Sequence, residues 1–215
     1  MVQYPVWMNR PAGDRELVQI VDAAFASAAA RAGPWLVCRP GCTQCCYGAF
    51  AINQLDALRL REGMDTLRDA NPALAAAVEE RASRWLAEYG ADFPGDLRTG
   101  LLGESEEEQE RFEGYANDAP CPALDPGTGL CDVYQWRPMT CRVFGPPVRA
   151  EAPNGEGPAL GHCELCFAGA STSEIAGCEM PVPHDLEQQL IDSLNENGET
   201  IVALALLRRE PPRMP

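Results

Sequence analysis

Four of the chain's ten cysteines fall within nine residues, Cys38-Arg-Pro-Gly-Cys42-Thr-Gln-Cys45-Cys46. Spacings that short leave no room for a helix or strand between the sulfurs. The segment is therefore a turn-rich loop, and its order depends on what the thiols do. The N-terminus, Met1 to Arg10, holds no apolar core of signal-peptide length, which predicts a cytoplasmic chain. In a reducing compartment cysteines are not spent on disulfides. Dense cysteines at short spacings there bind metal or do redox work.

Apolar residues make up 46% of the 215, enough for a core in one domain, and no apolar run approaches bilayer-spanning length. The formal net charge of −15 argues against nucleic-acid backbone binding, which needs clustered positive charge. All 17 basic residues are Arg. Schiff-base lysine chemistry and a phosphate-loop lysine are thereby excluded.

Helical periodicity marks 14–32, where Leu17, Ile20, Val21, Ala24, Phe25 and Ala28 share a stripe, Asp14 is placed to cap the start and Gly33-Pro34 to stop it. Asn53 reads as the cap of a helix ending near Gly63. Asn71-Pro72 opens another, with Leu74, Val78, Trp85 and Tyr89 on its buried side and Gly90 at its end. The stretch 92–103 reads as loop, and the glutamates of 104–110 as a solvated helix start. From Cys121 to Cys178 Gly, Pro and Cys dominate and regular structure is expected to be scarce, with Glu151 to Pro158 as loop. Such a region buries little apolar surface per residue, so the cysteines are its candidate staples. Past Pro183 Leu186, Leu190, Ile191 and Leu194 share a helical face, Gly198 breaks it, and Ile201 to Leu207 predicts a last helix. The expected fold is mainly α: a single small irregular helical domain over 1–215. Its cysteine-cluster core at about 36–178 is stapled by metal and flanked by helical segments 14–32 and 184–209.

The cysteines form three groups: Cys38, Cys42, Cys45 and Cys46; Cys121, Cys131 and Cys141; Cys163, Cys166 and Cys178. Cys42-x-x-Cys45 and Cys163-x-x-Cys166 let two thiolates reach one ion from a tight turn, and Gly41 supplies the backbone freedom such a turn needs. Successive side chains tend to point apart, so Cys45-Cys46 suits two nearby ions or a polynuclear cluster, or one ligand beside one small buried apolar residue. Four thiolates suit zinc and an iron–sulfur cluster equally. They also leave excess negative charge. Arg39, Arg137 and Arg142, close to cysteines in sequence, are candidates to donate to thiolate sulfur or neutralise it. His162 precedes Cys163 and is a candidate ligand, although with so many thiols nearby a non-ligand role is expected. His184 reads as structural. A Ser-His-Asp or Cys-His catalytic arrangement has no support.

Cys38-x3-Cys42-x2-Cys45-Cys46, Cys121-Pro-Ala-Leu124 and Cys131-Asp-Val-Tyr134-Gln-Trp-Arg137-Pro138-Met-Thr-Cys141-Arg142-Val-Phe144 together resemble the CxxCxxCC family. Its members, the YkgJ-like cysteine-cluster proteins among them, are described as zinc- or iron-chelating. The resemblance covers roughly 36–145 and extends loosely to Cys166. It implies that Cys38, Cys42, Cys45, Cys46, Cys121, Cys131 and Cys141 share a metal centre, with Cys163 and Cys166 completing the ligand set. It also implies that Tyr134, Arg137 and Arg142 support the centre from behind the ligands. The first gap is three residues where the family's name has two. The family includes flagellin lysine N-methylases, which are longer enzymes using S-adenosylmethionine, and no methyl-donor loop is recognisable here.

The expected function is thus a metal-binding cysteine-cluster protein, with an iron–sulfur centre favoured over zinc. The alternative the resemblance offers is a protein lysine N-methyltransferase using S-adenosylmethionine. The expected partner is a metal ion or cluster, with no nucleic acid and no membrane. The residues do not identify a protein partner, or a role for Cys178.

Overall fold

A computed structural model describes residues 10–151, 157–194 and 196–207. Along the chain run α1 (Asp14–Ala32), β1 (Ala51–Asn53), α2 (Gln54–Ala70), α3 (Pro72–Tyr89), β2 (Gly95–Asp96), β3 (Leu101–Leu102), α4 (Glu106–Glu113), β4 (Leu124–Asp125) and β5 (Leu130–Cys131). Then follow α5 (Met139–Val143), β6 (Val148–Glu151), β7 (Pro158–Gly161), α6 (Thr172–Gly177), α7 (His184–Asp192), β8 (Glu199–Ile201) and α8 (Val202–Leu207). The fold is mainly α. Strands among the described residues come only as antiparallel pairs, β1 with β8, β2 with β3, β4 with β5 and β6 with β7.

The chain divides into two compact units. The first takes in Arg10, Gly41–Pro138 and the segment from Leu194 onward. Its core lies where α2, α3 and α8 pack together, around Leu60, Met64, Val78, Val202 and Leu206. Local chemistry starts these helices. The Asn53 side chain accepts from Asp56 N–H at 2.9 Å and opens α2, while Asn71 caps α3 with Pro72 in its first turn. A second cluster joins Trp85 to Tyr115 edge-on at 5.8 Å, with Phe93 and Leu204 beside them. The short antiparallel pair Ala51↔Ile201 to Asn53↔Glu199 ties the entry of α2 to the entry of α8.

The second unit comprises Pro11–Pro40 and Met139–Ser193. Here α1 packs on α5 and α7, and a smaller cluster forms from Ala32, Cys163, Cys166, Phe167 and Cys178. No described helix is long and apolar enough to cross a membrane.

Several expectations need correction. Asp14 is already inside α1 and buried, and the cap position falls to Gly13, whose φ of 104° makes the turn with no side-chain cap. The apolar stripe of α1 is narrower than its periodicity, because Ile20 stays exposed while Leu17, Val21 and Ala28 are fully buried. Gly63 does not end α2, which runs on to Ala70. The glycine is retained inside the helix because the Trp136 ring lies against it. The 92–103 stretch holds the β2–β3 pair, and Glu151 and Pro158 are paired strand ends rather than loop. Residues 152–156 lie outside the described residues, as do 208–209 of the expected last helix. Ile201 belongs to β8, so that helix starts at Val202.

Candidate metal centre

In the first unit three chain segments bring thiols together. Gly41, at φ 86°, turns the chain toward Cys42, and a short helical turn follows over Gln44–Cys46, closed by Cys46 N–H to Thr43 O at 2.8 Å. The backbone then pins this turn to the second segment. Cys121 N–H donates to Cys46 O at 2.7 Å, Gly48 N–H donates to Ala119 O at 2.8 Å, and Tyr47 bridges Pro120. The third segment folds back through the hairpin β4–β5, in which Leu124 faces Cys131. Asp125 organises the hairpin turn by accepting from Gly127 N–H at 3.0 Å and Thr128 Oγ1 at 2.6 Å, which holds its carboxyl below the ordinary range. Cys121 and Cys131 pack against the core of α2, α3 and α8, so the helices fix where these two sulfurs stand.

The sulfurs act on one another. The Cys46 S–H donates to the Cys45 sulfur, which brings the Cys45 thiol down to about 6 against the opposing effect of burial, with Arg137 assisting. The same hydrogen bond pushes Cys46 well above its ordinary value, and burial and its neighbours Cys45, Cys121 and Cys131 add to the rise. Burial raises Cys121 to about 12, although its sulfur accepts from the backbone N–H groups of Ala123 and Leu124. Burial likewise raises Cys131, whose sulfur accepts from Val133 N–H. Amides aimed at sulfur, a nearby guanidinium and several thiols within electrostatic reach of one another are surroundings that suit a thiolate ligand set. The donor chemistry fits a thiophilic ion or cluster. Among the described residues no three His, Cys, Asp or Glu side chains already stand close enough to enclose an ion.

Two arginines support this set. Arg137 donates to Tyr134 O at 2.9 Å and lies 3.9 Å over the Tyr134 ring, and its charge favours the thiolates of Cys45 and Cys131. Arg81 on α3 donates to Pro122 O at 2.9 Å and to Asp132 Oδ2 at 2.5 Å. It therefore grips the residue after Cys121 and the residue after Cys131 at once. The sequence signal for Arg81 is a cation at 81 between Val78, Ala82 and Trp85, on an otherwise buried helix face. An apolar crevice of about 250 Å³, counting its open mouth, borders Cys121 between Phe50, Trp85 and Val202.

Not every expected residue falls in this unit. Cys42, Cys45, Cys46, Cys121 and Cys131 do, with Tyr134 and Arg137; Cys38, Cys141, Cys163, Cys166 and Arg142 belong to the second unit. Arg142, expected behind the thiolates, is buried and directs Nη1 to both oxygens of Asp22 on α1, each at 2.9 Å. His162 places Nδ1 3.0 Å from Cys163 O and its ring against Phe167. No disulfide joins any of the ten cysteines, all of which lie among the described residues.

The profile of the CxxCxxCC family, described as a putative zinc- or iron-chelating domain, matches residues 37–154, more than half of the sequence. The chain belongs to the CxxCxxCC family. Metal chelation is therefore the coarse function that this CxxCxxCC member carries, and the matched span contains every thiol of the first unit. No curated protein and no solved structure gives a significant match.

Proposed function

We propose that Cys45, Cys46, Cys121 and Cys131, with Cys42 beside them, hold an iron–sulfur centre, with zinc as the alternative occupant. The observation that carries this reading is the pairing of the adjacent thiols. The short helical turn over Gln44–Cys46 sets the sulfurs of Cys45 and Cys46 against each other rather than apart, in the company of Cys121 and Cys131. Adjacent thiols directed to one place suit a polynuclear centre better than a single small ion, around which four donors must spread tetrahedrally. Ligation would release the protons these thiols retain, and Arg137 would offset the charge that results. The density of cysteines at short spacings supports a reducing, cytoplasmic setting for such a centre.

The test is iron, zinc and acid-labile sulfide analysis of anaerobically purified protein, together with its visible spectrum. Iron and sulfide in similar amounts with a broad brown absorption are expected, and both should be lost in Cys45→Ser and Cys121→Ser. Zinc alone in a colourless protein overturns the iron–sulfur assignment. Retention of all metal by both variants overturns the site.

A further inference from the structure

We propose that the second unit carries a thiolate site of its own, in which Cys163, Cys166 and Cys178 take one thiophilic divalent ion of the zinc type and Cys38 supplies the fourth sulfur. Cys163, Cys166 and Cys178 all lie beyond the span that the family profile matches. The site is built wholly from residues of Pro11–Pro40 and Met139–Ser193.

Four observations lead there. The first is the turn at Cys163-Glu-Leu-Cys166. Cys166 N–H donates to Cys163 O at 2.9 Å, the two thiols hydrogen-bond to each other, and the Cys163 sulfur accepts from the backbone N–H groups of Leu165 and Cys166. These are the donors at i+2 and i+3, the same arrangement that serves the Cys121 sulfur in the first unit. Burial keeps the Cys163 thiol above its ordinary value, and the two backbone donors oppose that burial and are already aimed where a ligating thiolate would need them.

The second is strain. Phe167, directly after Cys166, holds φ at 57°, a left-handed conformation that a bulky residue rarely adopts. Its N–H is fixed on Trp35 O at 2.9 Å, and Ala170 N–H closes the next turn on Phe167 O at 3.0 Å. The left-handed residue curls the backbone immediately past the second cysteine and carries the Phe167 ring into the same buried cluster as the three thiols.

The third is the approach of Cys38. Gly145 has φ at 126°, and a Cβ there would stand 2.9 Å from the Cys38 sulfur. The Gly145 carbonyl in turn accepts from Cys163 N–H at 3.2 Å. Only glycine allows the Cys38 sulfur this close to the residue whose carbonyl holds Cys163 N–H.

The fourth is the anchoring of Cys178. Arg31 on α1 donates to Gly177 O at 3.1 Å and to Glu179 O at 2.7 Å, the two peptide carbonyls that flank Cys178. Arg81 holds the residues after Cys121 and Cys131 from α3 in a comparable way. Cys178 then packs with Cys163 and Cys166 in one buried cluster. Ion binding would draw the sulfurs inward and release their protons to solvent.

The experiment loads full-length protein with Zn²⁺ and counts ions per chain in wild type, in Cys163→Ser/Cys166→Ser and in Cys45→Ser/Cys121→Ser. The first variant is expected to lose one zinc equivalent and keep the metal of the first unit. The second is expected to lose that metal and keep the zinc. This reading stands or falls separately from the one for Cys45 and Cys121. A folded Cys163→Ser/Cys166→Ser protein with the full metal complement overturns the site, as does loss of all metal in both variants, which would mean one shared centre. Should the double serine variant not fold, Co²⁺-loaded wild type is compared with Cys163→His. Exchange of one sulfur for nitrogen is expected to weaken and shift the thiolate-to-cobalt absorption, and an unchanged spectrum overturns the proposal.

Discussion

Arg81 and Asp132 join helix to loop: the Arg81 Nη2 on α3 donates to Asp132 Oδ2 at 2.5 Å, one residue past Cys131. The same guanidinium holds Pro122 O at 2.9 Å, one residue past Cys121. The two sulfurs thus take their separation from a single planar group on a helix face whose neighbouring residues, Val78, Ala82 and Trp85, are core. Groups that orient ligands from behind commonly account for about 10–100-fold in metal affinity. Arg81→Met keeps the apolar stem and removes both hydrogen bonds. It is expected to weaken metal retention by about that factor in a chelator competition, with far-ultraviolet circular dichroism unchanged. Asp132→Asn keeps the Pro122 contact and is expected to weaken it less. Equal retention by Arg81→Met and wild type would show that the clamp serves the fold alone.

Gly63→Ala is expected to destabilise, against the sign that helix propensity gives. In an open helix position alanine gains roughly 0.5–1 kcal/mol over glycine. Here an added Cβ would meet Trp136 Cγ at 2.6 Å. The ring is packed beside the core and cannot retreat freely, so overpacking of about 1–3 kcal/mol should outweigh the propensity gain. Urea midpoints of wild type and variant decide the sign. A more stable variant would mean that Trp136 moves aside without cost.

Much of the helical frame was legible because its signals are local. Asn53, Asn71-Pro72 and Gly90 act on backbone groups within one turn, and each stands where its sequence context predicts. Gly63 misleads for the opposite reason: its purpose is set by a tryptophan 73 positions away, which no window of helical length contains. The thiol groups were legible as groups. The division of the cysteines between two compact units was not, because tertiary packing sets the unit boundaries at Pro40 and Pro138 and no local signal marks them. Arg142 illustrates the same limit. Its place directly after Cys141 suggests a partner for sulfur, yet the partner found is Asp22, contributed by the far end of the sequence.

The Asp22–Arg142 pair is asymmetric, with the arginine side chain 2% exposed and the aspartate 46% exposed. Asp22→Ala removes the acceptor of a charge-assisted contact and leaves the guanidinium buried, so a loss of about 1.5–3 kcal/mol is expected. Asp22→Asn retains one oxygen acceptor and should lose less. Chemical denaturation of the three proteins orders them, and equal stability of wild type and Asp22→Ala would assign the burial of Arg142 to its other contacts.

The two capping boxes supply a pH dependence whose sign follows from their geometry. Ser105 caps α4 and Ser171 caps α6, and the Glu108 and Glu174 carboxylates accept from the respective serine hydroxyl and backbone N–H. The serine hydroxyl and then its backbone N–H hold both carboxyls below the ordinary glutamate range. A carboxyl whose folded pKa is depressed contributes stability that is complete above its unfolded value, near 4.3, and fades as pH falls through the folded value. The start of α4 should therefore loosen below about pH 4 while the core around Met64 and Val78 persists. Both serine–glutamate pairs are exposed, so the effect is local fraying rather than global unfolding. The reporter is the Gln109 amide, which donates to Ser105 O at 3.0 Å in the first turn of α4. Its hydrogen-exchange protection is expected to drop between pH 5 and pH 3 in wild type, a window of roughly one pH unit on either side of the ordinary carboxyl value. Glu108→Gln keeps an acceptor oxygen for the capping box without the titrating group, so its protection should be lower at neutral pH and flat across that window. A wild-type profile as flat as that of Glu108→Gln would show that the Ser105–Glu108 pair does not hold the helix start.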